Sequence, residues 1–330
     1  MAEFMGYEQV FVPKAGGNEM VATCPRVSII VLNWNSYEVT RDCLLSLEKI
    51  DFPNHEVVLV DNGSGDGSAE RLAKEFPCAR FIRNERNLGF SGGNNVGIRN
   101  AMTRGPNYLL LLNNDTVVAP NFLSELVRVA ESDPQIGLLN PKIYYFDPPD
   151  RIWYAGGVRK PWRVFPVHLG LRRRDDGSYN QTREVSFITG CALLIKTAVV
   201  RKIGLLDDMF FLTFEDADWS MRASRAGFKH FYVPASVIWH KDSYCTNMKL
   251  GHAGKNFYNM RNTVLFARKY LETRYWPLFM ISVGKYVMHR TVVDLFQGDV
   301  KRVGALYRGL WSGCSTRIPA TEPGEISEQQ

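Results

Sequence analysis

Tyr108-Leu-Leu-Leu-Leu-Asn-Asn-Asp115-Thr-Val-Val118 decides how the rest of the chain is read. Tyr108 to Leu112 is an apolar run with no polar break, the pattern of a strand buried on both faces. The run ends in Asn113, Asn114 and Asp115, whose side chains can hold a cation, a ribose or a phosphate. Open α/β sheets bind their ligands at the carboxyl ends of strands, which is where this triplet falls. Taken alone, the triplet reads equally well as a polar turn, so its surroundings have to decide.

Toward the N-terminus the same pattern recurs. Arg26 to Asn33 is a β-branched strand ending in Asn33-Trp-Asn35, and a helix follows over about residues 37–50, with Cys43, Leu44, Leu47 and Ile50 on one face. Glu56 to Asp61 is a second strand, running into Asn62-Gly-Ser-Gly-Asp-Gly-Ser68. Asp66 or Ser68 can cap the helix that reaches about Phe76. Ala79 to Arg83 is a third strand. Asn84-Glu-Arg-Asn87-Leu-Gly-Phe-Ser-Gly-Gly93 then reads as a loop opening into a helix from about Asn94 to Thr103. Strands alternating with helices predict the α/β class: a doubly wound, mostly parallel, Rossmann-like sheet. Asn33, Asp61, Asn87 and Asp115 then line one sheet edge, a nucleotide-sized site. Gly63-Ser-Gly-Asp-Gly67 is not GxGxxG and follows the second strand, and no P-loop pattern occurs. Hydride transfer and P-loop phosphoryl transfer are therefore disfavoured.

Toward the C-terminus, Pro120 opens a helix that runs to about Ser132. Residues 141–184 are irregular and aromatic, a substrate loop or an insertion. Val185 to Ile195 reads as one strand, with Gly190 permitting close backbone approach. Glu215, Asp216 and Asp218 follow an aromatic run, and Thr213, three residues before Asp216, predicts an N-cap with an acidic N3 position. On that helix Glu215 and Asp218 lie about 60° apart and Asp216 roughly 160° from Asp218, so they cannot all face one ligand. The i,i+4 spacing gives Asp218 an ion pair with Arg222, and the whole cluster also reads as favourable charge at a helix N-terminus. Tyr232 to His240 is a strand whose terminal imidazole could reach the same divalent ion as Asp115.

The bulk composition narrows the classes. A chain of 330 residues, 45% hydrophobic, buries a large core. Its net charge of +6 is interspersed, without the dense basic stripe of a nucleic-acid binder, so no nucleic-acid partner is expected. Six cysteines without a CxxC pair argue against structural zinc and fit a reducing cytosol. Residues 1–25 lack the apolar core of a signal peptide, and the longest apolar stretch, Trp276 to Val283, falls far short of the ~20 residues that span a bilayer. The expected protein is soluble or lies on a membrane surface.

Six segments in order carry a resemblance: Val31-Leu-Asn-Trp-Asn35, Val60-Asp-Asn-Gly-Ser64, Asn87-Leu-Gly-Phe-Ser-Gly-Gly-Asn-Asn95, Leu112-Asn-Asn-Asp-Thr116, Phe214-Glu-Asp-Ala-Asp218 and Trp239-His240. Over residues 26 to about 270 they resemble the inverting family 2 glycosyltransferases of the nucleotide-diphospho-sugar transferase fold (the glycosyltransferase A type). Within that family the similarity points to bacterial rhamnosyltransferases of cell-wall and O-antigen assembly. The resemblance implies transfer of L-rhamnose from dTDP-L-rhamnose to a lipid-linked saccharide or glycan, at the cytoplasmic face of the cell membrane. It implies that Asn33 and Asp61 hold base and ribose and that Asn87 lies near the sugar nucleotide. Asn113, Asn114 and Asp115 stand where the family carries an Asp-X-Asp metal motif. Asp115 and His240 would hold Mn²⁺ or Mg²⁺, Asp216 would be the general base, and Arg261 could meet a phosphate. Asn113 departs from the motif and coordinates a cation more weakly than aspartate would. Two other readings stand beside this one: transfer of another hexosyl or galactofuranosyl unit from a UDP- or GDP-sugar, and a sugar-nucleotide-binding module without catalysis.

The expected organisation is a flexible leader (1–25), a catalytic domain (26–270), an amphipathic helical extension (271–314) and a disordered polar tail (315–330). The catalytic domain divides into a nucleotide-sugar half (26–118) and an acceptor half (119–270). In the extension, apolar and aromatic residues flanked by cations over 275–311 suit an interfacial helix on an anionic membrane. They equally suit packing against the catalytic domain or against the partner in a homodimer.

Overall fold

The structure, a computed structural model, describes residues 24–241 and 251–319. The expectations for a leader and for the end of the tail, residues 1–23 and 320–330, lie outside the described residues. The first half alternates as the sequence predicts: β1 (Val27–Asn33), α1 (Tyr37–Leu47), β2 (His55–Asp61), α2 (Ser68–Glu75), β3 (Arg80–Arg83), α3 (Gly89–Met102), β4 (Tyr108–Asn113). β1 pairs in parallel with β2 and β4, with Asn33 opposite Asp61 and Leu32 opposite Asn113. That register brings the polar ends of three strands to one edge. The apolar run of β4 is at most 2% exposed, as a central strand covered on both faces requires.

α3 starts five residues earlier than predicted, and the glycines read as loop lie inside it. The reason is packing. A Cβ at Gly93 would sit 2.6 Å from Leu32 Cδ1, and one at Gly97 2.6 Å from Ile30 Cγ2, so α3 can lie against β1 only without side chains there.

Beyond β4 come β5 (Thr116–Val118), α4 (Phe122–Glu131), β6 (Ile136–Tyr145), β7 (Ile152–Tyr154), β8 (Gly157–Val158), β9 (Val167–His168), β10 (Arg183–Val185), β11 (Ala192–Lys196), α5 (Thr197–Ile203), α6 (Glu215–Arg225) and β12 (Lys229–His240). The single strand expected over 185–195 is two strands in different places. β10 pairs with β12, whereas β11 inserts antiparallel between β4 and β6. The residues between them leave the ladder because Asn140 takes up their backbone: its side chain bonds the Thr189 N–H and the carbonyls of Thr189 and Ala192. Among the described residues the main sheet runs β10-β12-β6-β11-β4-β1-β2-β3, mostly parallel with antiparallel insertions and helices on its faces. Among the described residues three α-helices follow β12: α7 (Gly251–Tyr270), α8 (Trp276–Phe296) and α9 (Val300–Ser315). α9 lies against α7 at Gly309 and Gly313, where a Cβ would come within 2.5 Å of Phe257 O and 2.7 Å of Arg261 O. No disulfide occurs among the described cysteines.

Candidate active site

Two of the predicted ligand residues turn out to be struts. Asn33 and Asp61 are wholly buried. Asn33 Nδ2 donates to Asp61 Oδ1 at 2.8 Å and to Ser68 Oγ at 3.1 Å, while its Oδ1 accepts from Thr40 Oγ1 at 2.9 Å. Asp61 Oδ2 accepts the Ser64 N–H at 3.0 Å. These bonds fix the strand ends and the turn after β2.

In front of them the strand ends open into a cleft lined by Leu32, Trp34, Asn62, Asn87, Phe90, Asn113, Asn114, Asp115 and Phe211. Four predicted residues, Asn87, Asn113, Asn114 and Asp115, come together here. Asn62 was not predicted. Its Nδ2 donates to Asn87 Oδ1 and Gly89 O, and its Oδ1 accepts from Asn84 Nδ2 and Leu88 N, so it ties β2 to the start of α3. The available signal was its place directly after the strand-terminal Asp61. Asn114 donates to Thr40 Oγ1 at 2.7 Å, which braces the triplet against α1.

Asp115 and His240 meet because β5 pairs antiparallel with β12, placing Thr116 opposite His240. Asp115 Oδ1 lies 3.1 Å from His240 Nε2, both side chains nearly buried. Yet Asp115 Oδ1 and His240 Nδ1 make no hydrogen bond of good geometry, and a buried polar atom left so is costly. Burial opposes ionisation of Asp115, but His240 and Lys241 outweigh it and hold the carboxyl below its usual range. Burial likewise opposes charge on His240, and Cys191 and Asp115 outweigh it in turn, raising the imidazole. The pair is thus one in which each group favours the charge on the other, without a cation. It also fits one. Two ligands about 2.1 Å from a cation and at right angles are about 3.0 Å apart, close to the separation seen here. Among the described residues no third acidic, His or Cys side chain completes a cluster, so further ligands would have to come from diphosphate oxygens or water.

The carboxylate cluster sorts as the helical angles predict. Asp218 is fully buried and bonded to Arg222 Nε (2.8 Å), Lys269 Nζ (2.6 Å) and Tyr270 Oη (2.6 Å), a structural role. Glu215 is buried with Oε2 unpartnered, and burial next to Asp216 pushes its carboxyl well up. Asp216 is half-buried; its Oδ2 accepts the Gly190 N–H at 2.9 Å and its Oδ1 the Ala217 N–H at 2.7 Å. Burial raises it to about 6, against the pull of those amides. Gly190 links this carboxylate to the cleft: its neighbour Cys191 accepts the Asn113 N–H at 2.8 Å, and a Cβ on Gly190 would touch both Phe90 and Asp216.

One expectation needs correction. The N-cap of α6 is Phe214, not Thr213. Both residues have positive φ, +69° and +72°, and no side chain caps the helix. The turn is held instead by α7, where Asn262 Nδ2 donates to Leu212 O and Thr213 O at 2.7 and 2.9 Å. Arg261 braces the same turn: its Nη1 donates to Met209 O at 2.8 Å, and it is not among the residues lining the cleft.

Three comparisons bear on what this site belongs to. The N-acetylglucosaminyl-diphospho-decaprenol L-rhamnosyltransferase of Mycobacterium tuberculosis is 25% identical over 216 residues, 58% of this chain and 67% of that protein. The dTDP-rhamnosyl transferase RfbF of Shigella flexneri is 23% identical over 257 residues, 73% of this chain and 79% of that protein. The chain spans between a quarter and two thirds of the length of the first curated relatives it matches. In fold it is similar to the mannosyltransferase PcManGT from Pyrobaculum calidifontis, solved in complex with GDP-Man and Mn²⁺. That match has a TM-score of 0.54 and 16% identity, and covers 91% of this chain and 78% of that one. The family model described as glycosyl transferase family 2 matches residues 28–204, more than half of the sequence, and the chain belongs to that family.

Proposed function

We propose that this glycosyltransferase moves L-rhamnose from dTDP-L-rhamnose to a hydroxyl of a lipid-linked or polysaccharide acceptor in cell-envelope glycan synthesis, with inversion. The observation that carries the mechanism is Asp216, a single half-buried carboxylate oriented by two backbone amides and more basic than a free aspartate. Asp216 takes the proton of the acceptor hydroxyl as that oxygen attacks the anomeric carbon; the bond from that carbon to the diphosphate oxygen breaks, and the nucleoside diphosphate leaves with the electron pair. One displacement inverts the anomeric centre, and one base suffices.

Asn87 and Asn113, which line the cleft, would hydrogen-bond sugar-nucleotide hydroxyls, with Asn62, Asn33 and Asp61 holding the strand ends behind them. Asp115 and His240 would hold Mn²⁺ or Mg²⁺, which when bound offsets the charge developing on the leaving diphosphate. The rhamnosyl donor is supported by the two rhamnosyltransferase relatives.

The test is a donor screen. Purified protein with Mn²⁺ is given dTDP-rhamnose and a panel of UDP- and GDP-sugars, nucleoside diphosphate release is measured, and the anomeric configuration of the transferred sugar is determined. Release fastest from dTDP-rhamnose, with inversion, is expected. Faster release from a UDP- or GDP-hexose would displace rhamnose, a retained configuration would sink the single displacement, and no release from any donor would sink the enzyme.

A further inference from the structure

Helix α8 is largely apolar, with Lys285, His289, Arg290 and Asp294 interspersed, and is covered along one stripe only. Phe279, Val287 and Asp294 are its buried residues, whereas Met280, Ile281, Met288, Leu295 and Phe296 stand exposed, Phe296 to 89%. A largely apolar helix with interspersed cations suits a membrane interface. The exposure is also concentrated: of the fifteen large apolar side chains exposed among the described residues, eleven lie between Leu278 and Trp311. Patches of that kind mark interaction surfaces. Where α8 meets α7 and α9 the seam opens into a groove of about 690 Å³, lined by Val264, Trp276, Val283, Met288 and Leu310, a volume typical of ligand sites.

The rim supplies the identity of the occupant. Residues 274–311 carry six Lys or Arg against two Asp. Both acids are taken up within the fold: Asp294 by Arg290 at 2.6 Å and Asp299 by Arg302 at 2.8 Å. Lys285, Lys301 and Arg308 form no ion pair among the described residues. A second copy meeting this face through a twofold axis would bring these cations together, which is unfavourable. Anionic headgroups meet them favourably, with the long Lys and Arg stems lying along the apolar surface. No helix among the described residues is long and apolar enough to cross a membrane, so α8 is suited to lie in the interface plane.

We propose that α8 and α9 dock this chain on an anionic lipid bilayer, with a lipid hydrocarbon chain in the α7–α8–α9 groove. Helix α7 ties that surface to the cleft. Val264 lines the groove, and Tyr258, six residues or about 9 Å earlier along the helix, stacks on the cleft residue Phe211 at 4.8 Å. A membrane-held acceptor would then be presented within one lipid's length of the cleft.

The experiment is co-sedimentation of the full chain with vesicles of mixed phosphatidylglycerol and phosphatidylcholine and, separately, of phosphatidylcholine alone. Binding only to the anionic vesicles, weakening as salt is raised, is expected. Lys285→Ala, Lys301→Ala and Arg308→Ala should each lower the partition coefficient about fivefold. Met288→Glu with Phe296→Glu should abolish binding while leaving the melting temperature and vesicle-free nucleoside diphosphate release unchanged, because both side chains face solvent. Absent binding, equal binding to both vesicle types, or binding that survives the Glu pair would overturn the proposal. So would a solution dimer that the Glu pair dissociates, since a second copy would then cover the face.

Discussion

Replacing Asp216 by asparagine separates a base from a binding or structural residue. In the native protein each carboxylate oxygen accepts one backbone N–H, from Gly190 and from Ala217. Asparagine keeps the shape, accepts one of those bonds, and cannot take a proton. General-base catalysis is worth about 10²–10⁴-fold, so kcat should fall by that factor. Donor affinity should stay within about twofold, because Asp216 is not among the side chains that line the cleft. The pH dependence gives a second reading. Only the ionised form works, and burial sets its pKa at about 6, so kcat should rise through that value and level off above it. At pH 5 roughly a tenth of the plateau should remain. For stability the sign reverses. A carboxyl raised from 3.8 to about 6 is penalised when ionised in the folded state, so this contribution is fully present below 3.8 and is lost as pH rises through 6. About two units at 1.36 kcal/mol each give about 3 kcal/mol at neutral pH, an upper figure for a side chain that keeps some exposure to water. The asparagine variant relieves that penalty and gives up one backbone bond costing about 1–2 kcal/mol. It should therefore melt no lower than the native protein at pH 7.5. The assay pairs steady-state release of nucleoside diphosphate across pH with donor Kd by calorimetry. A kcat within tenfold of native, or an acid limb that persists near pH 6 in the variant, would refute the assignment.

Two further outcomes follow from the geometry. Asp115→Ala should weaken nucleoside diphosphate binding by about tenfold or more when Mn²⁺ is present and leave it unchanged in chelator; an equal loss in both conditions would make Asp115 a structural residue. Asp218→Asn should cost about 3–5 kcal/mol in urea melts by stranding the buried charges of Arg222 and Lys269. Although burial opposes its ionisation, Arg222 and Lys269 hold Asp218 below the usual carboxylate range, so the stability it gives is present above its unfolded pKa and lost as pH falls through the lower folded value. The variant should accordingly show a flatter acid limb of Tm than the native chain, and parallel acid limbs would count against the pairing.

The parts of the site legible in the sequence were those that depend on where an element ends. Each apolar strand run stopped at an Asn or Asp, so the edge holding Asn87, Asn113, Asn114 and Asp115 could be read directly, and so could the pairing of two strand-terminal residues at Asp115 and His240. What a polar residue spends its atoms on could not be read. Asn33 and Asp61 have the right type and place for ligands, but each is consumed by partners that fold in from the residues around 40, 64 and 68. Glycine misled for a similar reason. Gly93 read as loop because the local signal for glycine is a turn, whereas here it allows α3 to approach Leu32. The split of 185–195 was invisible because its cause, Asn140, lies some fifty residues away.

The turn before Asp216 carries the same logic further. Thr213 and Phe214 both take a left-handed conformation that a β-branched and an aromatic residue adopt only under constraint, at about 1–3 kcal/mol each. The constraint comes from α7. Asn262 holds the carbonyls of Leu212 and Thr213, Arg261 holds that of Met209, and Tyr258 stacks on Phe211. Helix α6 therefore begins where α7 puts it, with its first turn uncapped by any side chain of its own and its acidic residues facing the positive end of the helix dipole. The other side of α7 is closed by Gly309 and Gly313 of α9, and its Val264 lines the groove beneath α8. One helix thus fixes the direction of the base on one side and carries the exposed apolar surface on the other. The C-terminal helices are for that reason part of the arrangement that aims Asp216, and a force applied to them, from a lipid surface or any other partner, acts on the turn that orients the carboxylate.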